Sequence, residues 1–164
     1  MNITPIATGE QLANALHTLG VRFIMGGHEE ENHLGKQPTR LLTALAESKE
    51  ARLRLALIPL FLEHHEFAVY VRAVAKKLDP AARLTLQCYY TAAVWLGQQY
   101  QPHQQPLPDH FSQELKLGSA ANPEENLQAL ANRHQQLSGA SINWLGTYRH
   151  AAQRWRTPAD RQEQ

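Results

Sequence analysis

The stretch PAARLTLQCYYTAAVWLGQQY, residues 80–100, decides the fold. Asp79 stands before it and Pro80 opens it. An N-cap carboxylate followed by proline at the first helical position is a strong helix start. Leu84, Leu86, Cys88, Tyr89, Tyr90, Ala92, Ala93, Val94, Trp95 and Leu96 then leave no polar stripe, so the predicted helix is apolar nearly all round. Such a helix is central, with neighbours on several sides. Gln101 to Pro108 follows, with three prolines and three glutamines, and reads as an exposed loop.

On the N-terminal side the punctuation is equally legible. Thr8 and Gln11 form a capping-box pattern, Leu12, Ala15, Leu16 and Leu19 share a face, and Gly20 supplies a left-handed stop. Val21, Arg22, Phe23, Ile24 and Met25, closed by Gly26-Gly27, form the one predicted strand. His28 to Gln37 reads as a polar loop. Pro38 opens a short helix through Leu41, Leu42, Leu45 and Ala46. Ser48 is expected to cap the next, through Leu53, Leu57, Leu60 and Phe61, with a kink or break near Leu55 because Pro59 removes a backbone bond. A further helix is expected from Phe67 to Leu78.

Beyond the loop, Asp109 is expected to cap a short helix through Phe111 and Leu115 that Gly118 ends. Asn122-Pro123, with Glu125, opens the next helix, whose face carries Leu127, Leu130, Ala131, His134 and Leu137 and which Gly139 closes. Ser141 is expected to cap a last helix, Ile142 to about Arg156, stopped by Thr157-Pro158. The fold class is therefore all-α with one short N-terminal strand: seven to eight helices in a single domain over 1–158, and a frayed tail over 159–164. Ser48–Leu55 and Asp79–Leu86 share an Ala-Arg-Leu-x-Leu core, a local echo similar to the helical hairpins of HEAT-like repeats.

The composition suits a folded domain. Of 164 residues, 43% are hydrophobic and 19% charged, enough apolar material for one core. A formal charge of +1 gives no large field to draw the chain towards nucleic acid or anionic lipid. Cys88 is the single cysteine and sits in an apolar run, which predicts a buried thiol and no disulfide. With neither a signal-peptide pattern at the N-terminus nor an apolar run long enough to span a bilayer, a soluble, cytoplasmic protein is expected.

Motifs for chemistry are sparse. His28 and His33 stand five apart in a glycine-flanked acidic loop, not four apart on a helix, so no metal site is expected. Gly26-Gly27 leads into neither a Gly-x-x-x-x-Gly-Lys nor a Gly-x-Gly-x-x-Gly loop, so no cofactor is expected. His64 ends a helix, where its charge suits the dipole. His134 lies on an apolar stripe: a core histidine with a satisfied partner is the plainer reading, a catalytic histidine the sharper one. On the last helix Asn143, Thr147, His150 and Arg154 share one face, and Trp144, Tyr148, Ala151 and Trp155 the adjacent one. That is either an amphipathic helix showing its wet side, or a recognition surface built from residue types that dominate binding hot spots.

LANALHTLGVRFIMGG, residues 12–27, resembles the opening helix and first strand of minimal nucleotidyltransferases. That family continues through a Gly-Ser turn into a metal-binding Asp-x-Asp, whereas Gly27 here is followed by His-Glu-Glu-Glu-Asn and the chain has no Asp-x-Asp. RLRLALIPLFLEHHEFA (52–68), CYYTAAVWL (88–96), LPDHFSQEL (107–115) and NWLGTYRHAA (143–152) resemble a small bacterial helical family that accompanies nucleotidyltransferase-like proteins. The resemblance implies the non-catalytic half of a two-protein system, of the toxin–antitoxin kind.

Three functions follow as expectations. The first is a non-catalytic helical interaction module, an adaptor or regulator of a protein partner, or a homodimer in which Val21–Met25 pairs with a partner strand or its own copy. The second is a nucleic-acid binder using Arg40, Arg52, Arg54, Arg149, Arg154 and Arg156. The third is a helical enzyme built around His134 or His150. A HEPN-type ribonuclease would need an arginine and a histidine close together on a helix, and Arg22 with His28, separated by Gly26-Gly27, is a degenerate form of that pattern.

Overall fold

A computed structural model describes residues 8–21, 34–118 and 122–162, with side chains through residue 155. Among these residues the α-helices are α1 (Gly9–Thr18), α2 (Pro38–Glu47), α3 (Ala51–Leu55), α4 (Leu57–Glu63), α5 (Val71–Lys77), α6 (Pro80–Tyr100), α7 (Pro123–Ser138) and α8 (Trp144–Gln162). Two 3-10 segments, Leu34–Lys36 and His65–Tyr70, complete an all-helical structure with no strand among the described residues.

The long helix is as central as its sequence requires. Leu86, Cys88, Tyr90, Ala92, Ala93 and Leu96 of α6 are fully buried, and the helix packs against α2, α4, α5, α7 and α8. Asp79 Oδ1 accepts the Ala82 N–H at 2.9 Å and Pro80 occupies the first turn, so the start is capped as predicted. Arg83, one turn in, donates to the carbonyls of Ala75 and Leu78, closing the C-terminal end of α5 from the neighbouring helix. One helix touching five others is layered packing around a centre, unlike the neighbour-to-neighbour contacts of a HEAT-like stack. The echoed segment also differs in detail, for Ser48 ends α2 and its Oγ accepts the Glu50 N–H, leaving α3 only five residues long.

Pro59 acts where expected. The helix breaks at Ala56, and α4 restarts at Leu57 with Pro59 in its first turn, where no backbone donor is needed. Residues 67–70 belong to a 3-10 segment, so the helix predicted from Phe67 is α-helical only from Val71.

The first helix carries both predicted ends. Thr8 and Gln11 exchange side-chain-to-backbone bonds of 2.9 and 3.1 Å, a complete capping box. Gly20, at φ +81°, follows the last turn; its N–H donates to His17 and that of Val21 to Leu16. This is a Schellman motif, closed by the buried pair Leu16 and Val21. Val21, placed by the sequence at the start of a strand, is therefore part of the helix stop, and its N–H is already used. Arg22, Phe23, Ile24 and Met25 lie outside the described residues.

Other details differ from the sequence reading. Residues 109–116 form turns rather than a helix: Asp109 Oδ1 accepts the Ser112 N–H and one α-turn joins Leu115 to Phe111. Lys116, at φ +59°, ends it, with Lys116 and Leu117 donating to Gln113 and Ser112. The stop thus falls two residues before Gly118. At α7, Asn122 Oδ1 accepts the N–H of Glu124, so the cap forms through the second helical residue rather than through a box with Glu125. The last helix starts at Trp144, not Ile142, because Asn143 Oδ1 accepts the Gly146 N–H and takes the capping role predicted for Ser141. It also passes Pro158 and continues to Gln162. Proline deletes one donor there, and the alanine, arginine and glutamine beyond it favour helix.

Candidate functional site

The α8 face was the richest polar constellation in the sequence, and part of it is engaged within the chain. Asn143 is spent on the cap, and Thr147 Oγ1 donates to the Asn143 carbonyl at 3.0 Å. Tyr148 is fully buried, as are Ala151 and Ala152. Trp144 is half-buried against α7, and half-buried Trp155 donates from Nε1 to Glu63 Oε1 at 2.5 Å. His150 and Arg154 stay exposed, and His150 is already engaged within the chain. The aromatic residues of this face therefore take part in packing the bundle.

His134 belongs to that internal anchor. It is 3% exposed, and its Nδ1 meets the Tyr148 hydroxyl at 2.6 Å. Trp144 stacks over the ring at 3.6 Å between centroids and 12° between planes, while Tyr89 meets it edge-on. Burial pushes the imidazole down to about 4. Burial, with help from Cys88 and Tyr89, pushes the Tyr148 hydroxyl up. At neutral pH the tyrosine therefore keeps its proton and donates it, and the neutral histidine accepts at Nδ1. With Nδ1 committed to a buried donor, His134 has the partner that a core histidine needs. Cys88 is likewise held from reaction, its thiol pushed up to about 12 by burial and far from the thiolate that nucleophilic chemistry needs.

His64 does something the sequence reading missed. As the residue ending α4 it was assigned to its own helix dipole, yet its Nε2 donates to the carbonyl of Leu19, the C-cap of α1, at 2.6 Å. Its other nitrogen faces Glu66 at 3.2 Å, and its ring stacks on Phe67. A histidine clamps a helix C-terminus, but a different helix from the one expected. Sequence carries no signal for this, since the two residues are 45 positions apart.

The arginines proposed for phosphate contact are mostly occupied. Arg54 donates to the Ser48 carbonyl, Arg52 pairs with Glu50, Arg40 reaches Gln37 and Arg149 pairs with Glu124. The same Glu124 accepts from Gln99, so one carboxylate ties α6, α7 and α8 together. Among the described residues no group of three or more metal-ligating side chains converges. No described helix is long and apolar enough to cross a membrane. Arg22, His28 and His33 lie outside the described residues.

One concavity among the described residues was not foreseen. It is an open groove of about 1040 Å³ between α2, the turn after it and the first turns of α1 and α6. Its floor is small and largely apolar: Leu12, Ala44, Ala46 and Ala82. Arg40 and Glu47 stand seven residues apart along α2, and Lys49 and Asp79 add one charge of each sign to the rim. The signal available in sequence was the Arg40, Thr43, Ala44 and Glu47 stripe on the far side of α2 from its leucines. Such stripes are usually only solvated, and nothing local shows that a second helix stands opposite. Comparison with protein-family models, with curated proteins and with solved structures finds no match.

Proposed function

We propose that this chain is a non-catalytic helical interaction module, an adaptor or regulator that receives a segment of a protein partner in the groove beside α2 and α6. The observation carrying the reading is the groove itself. Its volume of about 1040 Å³ suits a helix or extended segment, its small side chains let a backbone approach, and its rim offers both signs of charge. The α8 face offers less, because its tryptophans and tyrosine are turned to internal packing. The nucleic-acid reading has less again, with four of its six arginines engaged within the chain. In the setting that the sequence resemblance implies, the partner is a nucleotidyltransferase-like protein of a toxin–antitoxin-type pair.

The test is co-expression with the product of the neighbouring gene, followed by size-exclusion with light scattering on the mixture and on the chain alone. A stable complex is expected, weakened at least tenfold by Ala44→Arg or Thr85→Arg, whose long side chains cross the groove while their heads reach water. Arg154→Glu on α8 is expected to leave the complex intact. Loss of the complex with Arg154→Glu alone would move the interface to α8. A chain that forms only a homodimer, unaffected by the groove variants, would overturn the reading.

A further inference from the structure

The groove beside α2 and α6 favours one form of occupant over the other. Its walls are helices, and there is no strand among the described residues. An extended segment draws its affinity from an exposed sheet edge, whose donors and acceptors alternate in register with its own. Helical walls bond most of their own backbone groups, so an extended segment here would give up the hydration of its N–H and C=O groups without replacement. An α-helix satisfies its backbone internally and needs only a surface to pack on. Thr43 and Ala44 on α2 and Ala82 and Thr85 on α6 present short side chains to it, which lets a helix axis approach to the near end of the usual range, about 8 Å.

The charges around the groove are not equivalent. Glu50 pairs with Arg52, Arg54 donates to the Ser48 carbonyl, and Asp79 caps α6, so these are spent within the chain. Arg40 reaches only the neutral Gln37, and neither Arg40 nor Glu47 has an ion-pair partner among the described residues. The two stand seven residues apart on one stripe of α2, with Thr43 and Ala44 between them. At 1.5 Å per residue that is about 10 Å along the helix, two turns. A helix lying along α2 repeats on the same spacing, so it can meet both charges at once only with residues seven positions apart.

We infer that the occupant is an amphipathic α-helix of the protein partner, an inference that rests on the groove being the docking site. Its packed face carries small apolar residues between an acidic residue, which meets Arg40, and a basic residue, which meets Glu47, seven positions away. Reversing the direction of the helix only exchanges their order. The small residues seat the helix against Ala44 and Ala82. Charge pairs at a solvated rim add little to affinity, but they fix the register of the helix and reject partners with the opposite order of charge.

The test uses the complex with the product of the neighbouring gene. Hydrogen exchange on that partner, with the intact chain bound and with the Ala44→Arg chain, locates the segment that the groove protects. Backbone carbon shifts of the labelled partner in the complex are expected to be helical over that segment. Arg40→Glu should weaken the complex about fivefold, and lysine in place of the partner's facing acidic residue should restore it. Glu47→Lys should behave in the same way, restored by glutamate at the partner's basic position. Extended shifts over the protected segment would overturn the helix and leave docking in the groove standing. A protected helix without an acid and a base seven apart, or charge variants that change nothing or are not rescued, would overturn the pairing. Absence of any complex, or a complex indifferent to Ala44→Arg, would remove the docking site itself and this inference with it.

Discussion

At the scale of single residues, His134 and Tyr148 carry the strongest expectations. Tyr148→Phe keeps the ring and its packing but leaves Nδ1 buried without a donor, at a cost of about 1–3 kcal/mol in chemical denaturation. The pH dependence has a definite sign. Burial holds His134 at about 4 in the folded chain, against its ordinary 6.5. Between those values the unfolded chain binds a proton that the folded chain refuses. The stabilisation is complete above 6.5 and is lost as the pH falls towards 4, by on the order of 3 kcal/mol for this site. His110, lowered by its burial and by Arg72, acts in the same direction. Urea midpoints measured across this range should fall with acid, and His134→Phe should flatten the slope; a variant keeping the full wild-type slope would place the titration elsewhere. That His134 is a core residue was legible from its stripe of Leu127, Leu130 and Ala131. That Tyr148 is its donor was not, because the two lie on different helices.

At the scale of elements, the capping chemistry was the most readable part of the sequence. Thr8, Asp79 and Asn122 all cap the helices they precede, because a side-chain oxygen two or three residues before an amide is a local geometry that needs no tertiary contact. The 109–116 segment failed for the opposite reason. Gly118 was the residue suited to a left-handed stop, yet packing of Phe111 and Leu115 into the core draws the turn closed at Lys116. A lysine at φ +59° is strained there. Lys116→Gly is accordingly expected to raise stability by up to about 1 kcal/mol, read as a higher urea midpoint with an unchanged slope. A lower midpoint would mean that the lysine side chain contributes more than its backbone conformation costs.

At the scale of the whole molecule, α6 determines cooperativity. Because it packs against α2, α4, α5, α7 and α8, none of these five helices can open fully without exposing it. Leu86→Ala, at a fully buried position, should cost about 2–5 kcal/mol. Its unfolding should still be a single transition, with tryptophan fluorescence and circular dichroism coinciding. Separate transitions would show that α7 and α8 form an independent unit. The groove belongs to this scale too, since it exists only where the stripe on α2 stands across from the start of α6.

The sequence by itself determined the helical class, the helix starts at Gly9, Pro38, Pro80 and Pro123, the break before Pro59 and the central position of residues 80–100. Each rests on side-chain and backbone geometry within one or two turns, or on the need to cover a helix with no polar face. Tertiary structure alone decided which polar side chains are spent. It turned the aromatic face of α8 inward, gave His64 to a distant helix end, paired the arginines and left the groove beside α2. Those outcomes depend on contacts between residues far apart in the chain, which periodicity along a single helix does not encode.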